Sequence, residues 1–159
     1  MSFKLSKRSQ INLRGVHPDV VKVVTAAIEL TRVDFGVIEG VRSLEDQKAN
    51  VAAGRSQTMA SKHLVQEDGY GHAVDLMAYV EGKGCWELNV YDDVADAIAA
   101  AARVKKVPIR WGGAWHISDI RGWGGSMEEA MNDYIDLRRS QGRRPFLDGP
   151  HFELQEPLA

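Results

Sequence analysis

Apolar residues recur at helical spacing in some stretches of this chain and alternate in others. Val20, Val21, Val24, Ala27 and Ile28 share one face of a helix predicted over 18–32, with Pro18 in the first turn, where a missing N–H costs nothing. Phe35 to Glu39 reads as a short strand. Ser43, with Asp46 three residues on, then marks a cap opening a helix that stops before Gly54, which places Arg42 at a strand-to-helix corner. GHAVDLMAYV (71–80) has strand character, while DDVADAIAAAARVKK (92–106) predicts an Ala-rich helix with acids first and bases last, as the helix dipole prefers. A strand near Pro108 to Trp111, a helix from Ser126 with Glu129 completing a capping box, and a strand over 150–155 finish the pattern. Glycines gather at 69–71, 82–84 and 112–125, which read as loops. Helices before and between short strands, without regular βαβ alternation, predict an α+β fold with helices packed on one face of a small antiparallel sheet.

No repeat, low-complexity tract or linker divides the chain, so residues 1–159 are expected to form one domain without a separate binding module. The 44% hydrophobic and 26% charged composition suits an ordinary globular core. Twenty basic against 22 acidic residues give a net charge of −2, and the basic residues are scattered, which argues against a nucleic-acid partner. A single cysteine, Cys85, excludes an internal disulfide. The opening MSFKLSKRSQ lacks an apolar stretch behind its charges, and no later run approaches the ~20 residues that span a bilayer. The expectation is a monomer made in the cytoplasm without a signal peptide or stable membrane association. A substrate beyond the inner membrane would then be reached only after another agent permeabilises it.

Three short stretches hold the residue types that zinc prefers: Ser61-Lys62-His63, Gly71-His72-Ala73-Val74-Asp75 and Asp148-Gly149-Pro150-His151-Phe152-Glu153. Strand alternation puts Asp75 on the face of Ala73 and Gly71, small neighbours that leave room for a metal and a substrate, with His72 and Val74 turned away. It likewise puts His151 and Glu153 together, with Phe152 toward the core. Two imidazoles and one carboxylate would leave zinc an open position for water, which is a catalytic arrangement, and Asp148 is the natural base across the Gly149-Pro150 turn. If the strand began late, His72 would compete with His63 as the first histidine ligand. Glu67 and Asp68 could attract a second cation or be a solvated loop tip.

The elements EGVRSLEDQ (39–47), SKH (61–63), GHAVD (71–75) and DGPHFEL (148–154) resemble, in that order, the zinc D,D- and L,D-peptidases of the VanY/VanX type. The opening SQINLRGVHPDVVKVV resembles their phage branch, the L-alanyl-D-glutamate endopeptidases used as endolysins. The resemblance covers most of the chain and implies a zinc peptidase that cuts the L-Ala–D-Glu bond of the peptidoglycan stem peptide. It implies His63, Asp75 and His151 as zinc ligands, Asp148 as general base, Arg42 as the binder of a substrate carboxylate, and Ser61 as part of the same pocket. Gln47 also falls on the pattern, with no role attached. His63 and Asp75 stand twelve residues apart, further than the family usually places them, so LVQEDGYG carries an insertion. Arg42 could instead pair with Glu39 or Glu45, and Glu153 could orient a ligating histidine or be an ordinary strand residue. Trp111 reads as core, whereas Trp115 and Trp123 suit either packing or a substrate shelf. His17 reads as helix-entry structure and His116 as loop.

Overall fold

The computed structural model describes residues 2–56 and 58–155. Its elements are α1 (Lys7–Asn12), α2 (Pro18–Leu30), β1 (Asp34–Glu39), α3 (Leu44–Ala52), β2 (Ala73–Val80), β3 (Lys83–Cys85), α4 (Leu88–Lys105), β4 (Ile109–Trp111), α5 (Met127–Ser140) and β5 (His151–Leu154), with one 3₁₀ turn at Ile120–Gly122. All strand pairings are antiparallel. The order is β1-β2-β5-β4, and β3 shares with β5 the edge of β2 that lies opposite β1.

Register sorts the two faces of this sheet. Phe35 lies across from Ala78, Val37 from Leu76, and Val74 from Phe152, which in turn faces Trp111. These side chains are buried in one core with Val20, Val23, Val24, Ala27 and Ile28 of α2 and with the small residues Ala95, Ala101 and Ala102 of α4. Helices α2 and α4 thus cover this face as the α+β reading expects, and α5 packs outside α4. Trp111 is fully enclosed. The predicted starts hold where side chains cap them: His17 accepts from the Asp19 N–H ahead of Pro18, Ser43 accepts from Asp46, and Ser126 and Glu129 make both bonds of a capping box.

Three features depart from the sequence pattern. Helix α4 starts four residues early, at Leu88, so its acids lie beyond the first turn; buried Tyr91, whose hydroxyl accepts from the Ala78 N–H, draws this extra turn against β2. Strand β3 is a hairpin partner of β2 rather than loop. Its two-residue turn, Glu81-Gly82, has φ of 53° and 78°, the paired left-handed geometry that matches strand twist. The third is α1, which lies along the outer edge of β1. Ser9 Oγ accepts from the Val37 N–H at 2.9 Å and Asn12 Nδ2 donates to the Val37 carbonyl at 2.8 Å, so an otherwise open strand edge is closed by side chains. Gly40 permits this approach, because a Cβ there would lie 2.1 Å from the Asn12 carbonyl oxygen.

Ser9→Ala leaves the buried Val37 N–H without a partner and is expected to cost about 1–3 kcal/mol of folding stability. Urea denaturation measures this, and a variant as stable as the parent would show that α1 is not needed to close the edge.

Candidate metal centre

The face of the sheet turned away from α2 and α4 carries the chemistry. Asp75 on β2 lies directly across from His151 on β5 and from Glu39 on β1, so the three form one cross-strand row. In the neighbouring row stand Ala73, Glu153 and Arg110. Alternation alone would send Glu39 to the core side with Val37. A bulge between these two residues turns Glu39 over to the Asp75 face.

His63 reaches the row from the loop between α3 and β2. Its backbone N–H donates to Ser61 Oγ, its carbonyl accepts from the Arg42 N–H, and its Nδ1 lies 2.8 Å from the Gly40 carbonyl. A carbonyl can only accept, so Nδ1 carries the hydrogen and a neutral ring presents its Nε2 lone pair. That Nε2 is buried, 3.2 Å from Asp75 Oδ1, and makes no hydrogen bond. His151 is oriented in the opposite sense: Nε2 is 2.8 Å from Glu153 Oε1, which leaves Nδ1 facing Asp75 Oδ1 at 3.3 Å. One ligand atom from each of His63, Asp75 and His151 lies within 4.8 Å of the others, a group that could hold a metal ion. The unpartnered Nε2 fits that use because it faces Asp75 within the group, whereas the other buried nitrogens without partners, on His72, Trp115 and His116, lie outside it.

His72 belongs elsewhere. It faces a different cleft, beside His17, and its Nε2 pairs with Asp68 Oδ2 at 2.7 Å. Asp68 Oδ1 also accepts from the Tyr70 N–H, so this insertion acid is engaged within its own loop.

The histidine–aspartate group opens on a cleft of about 830 Å³, which Arg42, Ser61 and Asp148 also line. The Asp148 backbone is clamped: its N–H donates to the Gly112 carbonyl at 2.8 Å and its own carbonyl accepts from the His151 N–H at 3.0 Å. Gly112 is required there because a Cβ would come within 2.2 Å of the Asp148 oxygen. Trp111 Nε1 donates to the Gly149 carbonyl at 2.7 Å, pinning the same turn from the core side. Arg42 spends its fork on Glu39, with Nε to Oε1 at 2.6 Å and Nη2 to Oε2 at 2.8 Å, and Nη1 donates to Gln47 Oε1 at 2.6 Å. Gln47, fully buried, ties this arginine to the far wall by donating from Nε2 to Ser56 Oγ and the Thr58 carbonyl.

Residues 1–155 match the family described as phage L-alanyl-D-glutamate peptidase. The chain belongs to that family. It is 31% identical over 158 residues to the L-alanyl-D-glutamate peptidase of Escherichia phage T5, covering 97% of this chain and 99% of that protein. Its fold also matches the crystal structure of the Serratia marcescens L-Ala D-Glu endopeptidase ChiX, with a TM-score of 0.69 and 36% identity over 96% of this chain and 90% of that one.

Among residues the sequence left open, this phage peptidase family member places Trp115 on the cleft. The indole stacks on Phe146, lies 5.3 Å from the His151 ring and sits beneath the Arg110 guanidinium. Trp123 instead packs against the core, with Nε1 donating to the Ser126 carbonyl. Arg110 and Phe146 had no motif to announce them. Arg110 is visible only through its register with Glu153, and Phe146 only through its tie to Tyr134, whose hydroxyl accepts from the Phe146 N–H.

Burial alone would lower the His151 pKa, but hydrogen bonds to Asp75 and Glu153 outweigh it and push the group up to about 10. For Asp75, burial favours the neutral acid, yet the two imidazoles hold its carboxyl well below the usual range. Asp148 moves the other way: burial pushes it up, the Asp75 charge adds to this, and His151, His63 and Arg42 oppose it. The upward shift favours the protonated His151 ring. Its folded pKa lies above the ordinary value of 6.5, so its contribution to stability is complete below about 6.5 and is lost as pH rises through about 10. Metal ligation needs the neutral ring, so binding at pH 7 is expected to release about one proton per ion from His151. Calorimetric titration in buffers of different ionisation enthalpy counts that proton, and a count of zero would show His151 already neutral.

Proposed function

We propose that this chain is a zinc-dependent peptidoglycan endopeptidase of the phage endolysin type, hydrolysing the L-Ala–D-Glu bond of the stem peptide. One observation carries the reading: His63, Asp75 and His151 converge beside buried Asp148 in a chain whose relatives are named for cutting that linkage. The donor set of two imidazoles and one carboxylate is one that zinc accepts while keeping a position open. Bound zinc would supply Lewis acidity, polarising the scissile carbonyl and making water easier to deprotonate.

The remaining work falls to side chains. Asp148, raised by burial, takes a proton from the attacking water and returns it to the departing amine nitrogen of the glutamyl residue. Gly40 and Glu153 fix which nitrogen each histidine presents, the role that carboxylates and carbonyls play behind metal-bound imidazoles. Arg42 holds Glu39 beside Asp75 and, among the described residues, keeps one Nη1 hydrogen without a partner. Ser61 fixes the His63 backbone from the cleft wall. Trp115 and Phe146 form an apolar shelf for the backbone of an extended peptide. Among the described residues no helix is long and apolar enough to cross a membrane.

Asp148→Asn is expected to retain metal content and folding while losing about 10²–10⁴-fold in lytic rate. Full activity in a metal-loaded Asp148→Asn protein would remove the base assignment. Digestion of purified wall should expose new amino-terminal D-glutamate. Release of free D-alanine instead would make the protein a D-alanyl-D-alanine carboxypeptidase.

A further inference from the structure

Two unfavourable features meet at Glu39. Strand alternation would send it to the core side with Val37, and only the bulge between the two brings it to the face of Asp75. There it stands directly across from a second carboxylate, an arrangement that like charges disfavour. The backbone beside it is pinned: the Gly40 carbonyl receives His63 Nδ1, and Gly40 leaves no room for a Cβ against the Asn12 carbonyl. Arg42 is the partner that reconciles the bulge with the repulsive pair.

The Arg42 backbone N–H is fixed on the His63 carbonyl at 2.9 Å, so side-chain partners decide where its guanidinium points. A guanidinium carries five N–H donors. Glu39 takes two of them in a two-point pair, from Nε at 2.6 Å and from Nη2 at 2.8 Å, and Gln47 takes one from Nη1. One hydrogen is left on each Nη nitrogen, on a side chain that lines the cleft and is only 10% exposed. Charged donors of that kind suit a carboxylate. Asp75 is the competing acceptor, because its Oδ2 lies 3.6 Å from Nη2, just beyond hydrogen-bond reach. Without Glu39 the fork is free to close on Asp75. That movement would occupy the remaining donors and draw the carboxylate away from His63 and His151.

We propose that Glu39 is a positioning residue: it holds the side edge of Arg42, which keeps the guanidinium off Asp75 and leaves the remaining Nη hydrogens to a carboxylate of the substrate. This rests on the L-Ala–D-Glu reading above, in which the glutamyl residue carries a free carboxyl group beside the scissile bond. Two synthetic stem peptides test it, one with that carboxyl free and one with it as the carboxamide, cut by the zinc-loaded parent, Glu39→Gln and Glu39→Ala. Zinc affinity is measured separately, by competition with a chromophoric chelator. The parent should prefer the free carboxylate by about 10- to 100-fold in kcat/KM, expressed mainly in KM, and Glu39→Ala should cut both peptides alike. The zinc affinity of Glu39→Ala should fall by about 10-fold, and adding Arg42→Met should restore it. Glu39→Gln, which keeps one acceptor oxygen, should lie between parent and Glu39→Ala on both readouts. It also serves where Glu39→Ala does not fold, and an undiminished preference in it overturns the assignment. So does a Glu39→Ala protein that keeps the preference or binds zinc as the parent does, or a parent that cuts both peptides equally. Each of these leaves the peptidase reading standing. A zinc-loaded parent that cuts neither peptide overturns the proposed function, and this inference with it.

Discussion

The antiparallel register of β2 is the constraint on which the site depends. Because Asp75 lies across from His151 on one side and Glu39 on the other, its carboxylate is held between groups whose positions backbone hydrogen bonds decide. A one-residue slip of β5 would send His151 to the core face and Phe152 to the cleft. The apolar pairs Val74–Phe152 and Phe152–Trp111 make that slip costly, since all three are almost fully buried. Packing on one face of the sheet thus secures the spacing of the polar row on the other.

Parts of the site outside the sheet are joined to it through backbone carbonyls. Gly40 holds the His63 ring, Gly112 holds the Asp148 N–H, and Gly149 receives the Trp111 indole. Two of these glycines, Gly40 and Gly112, stand where any Cβ would collide with a neighbouring backbone oxygen. They serve close approach rather than flexibility, bringing α1 against the end of β1 and the Asp148 turn against the end of β4.

Much of this was legible in the residues. Asp75 with Ala73, and His151 with Glu153, could be placed by strand alternation because both strands are regular where those residues lie. Helix α2 and the capped starts of α3 and α5 followed from Pro18, Ser43 and the Ser126–Glu129 pair. The position of Glu39 was not legible, because a bulge breaks the alternation just before it and no residue type marks the bulge. Arg42 then could not be read fully, for its engagement depends on where Glu39 points. Helix α1 escaped notice because KRSQIN is short and polar, and its purpose emerges only when Ser9 meets Val37. Strand β3 is three residues long, too brief for any period to show.

The placement of His151 bears on how charge is balanced on this face of the sheet. Its ring bridges Asp75 and Glu153, so a protonated imidazole there balances the two carboxylates. A cation taking the place of that proton would keep the balance, so loading would be an exchange of one positive charge for another.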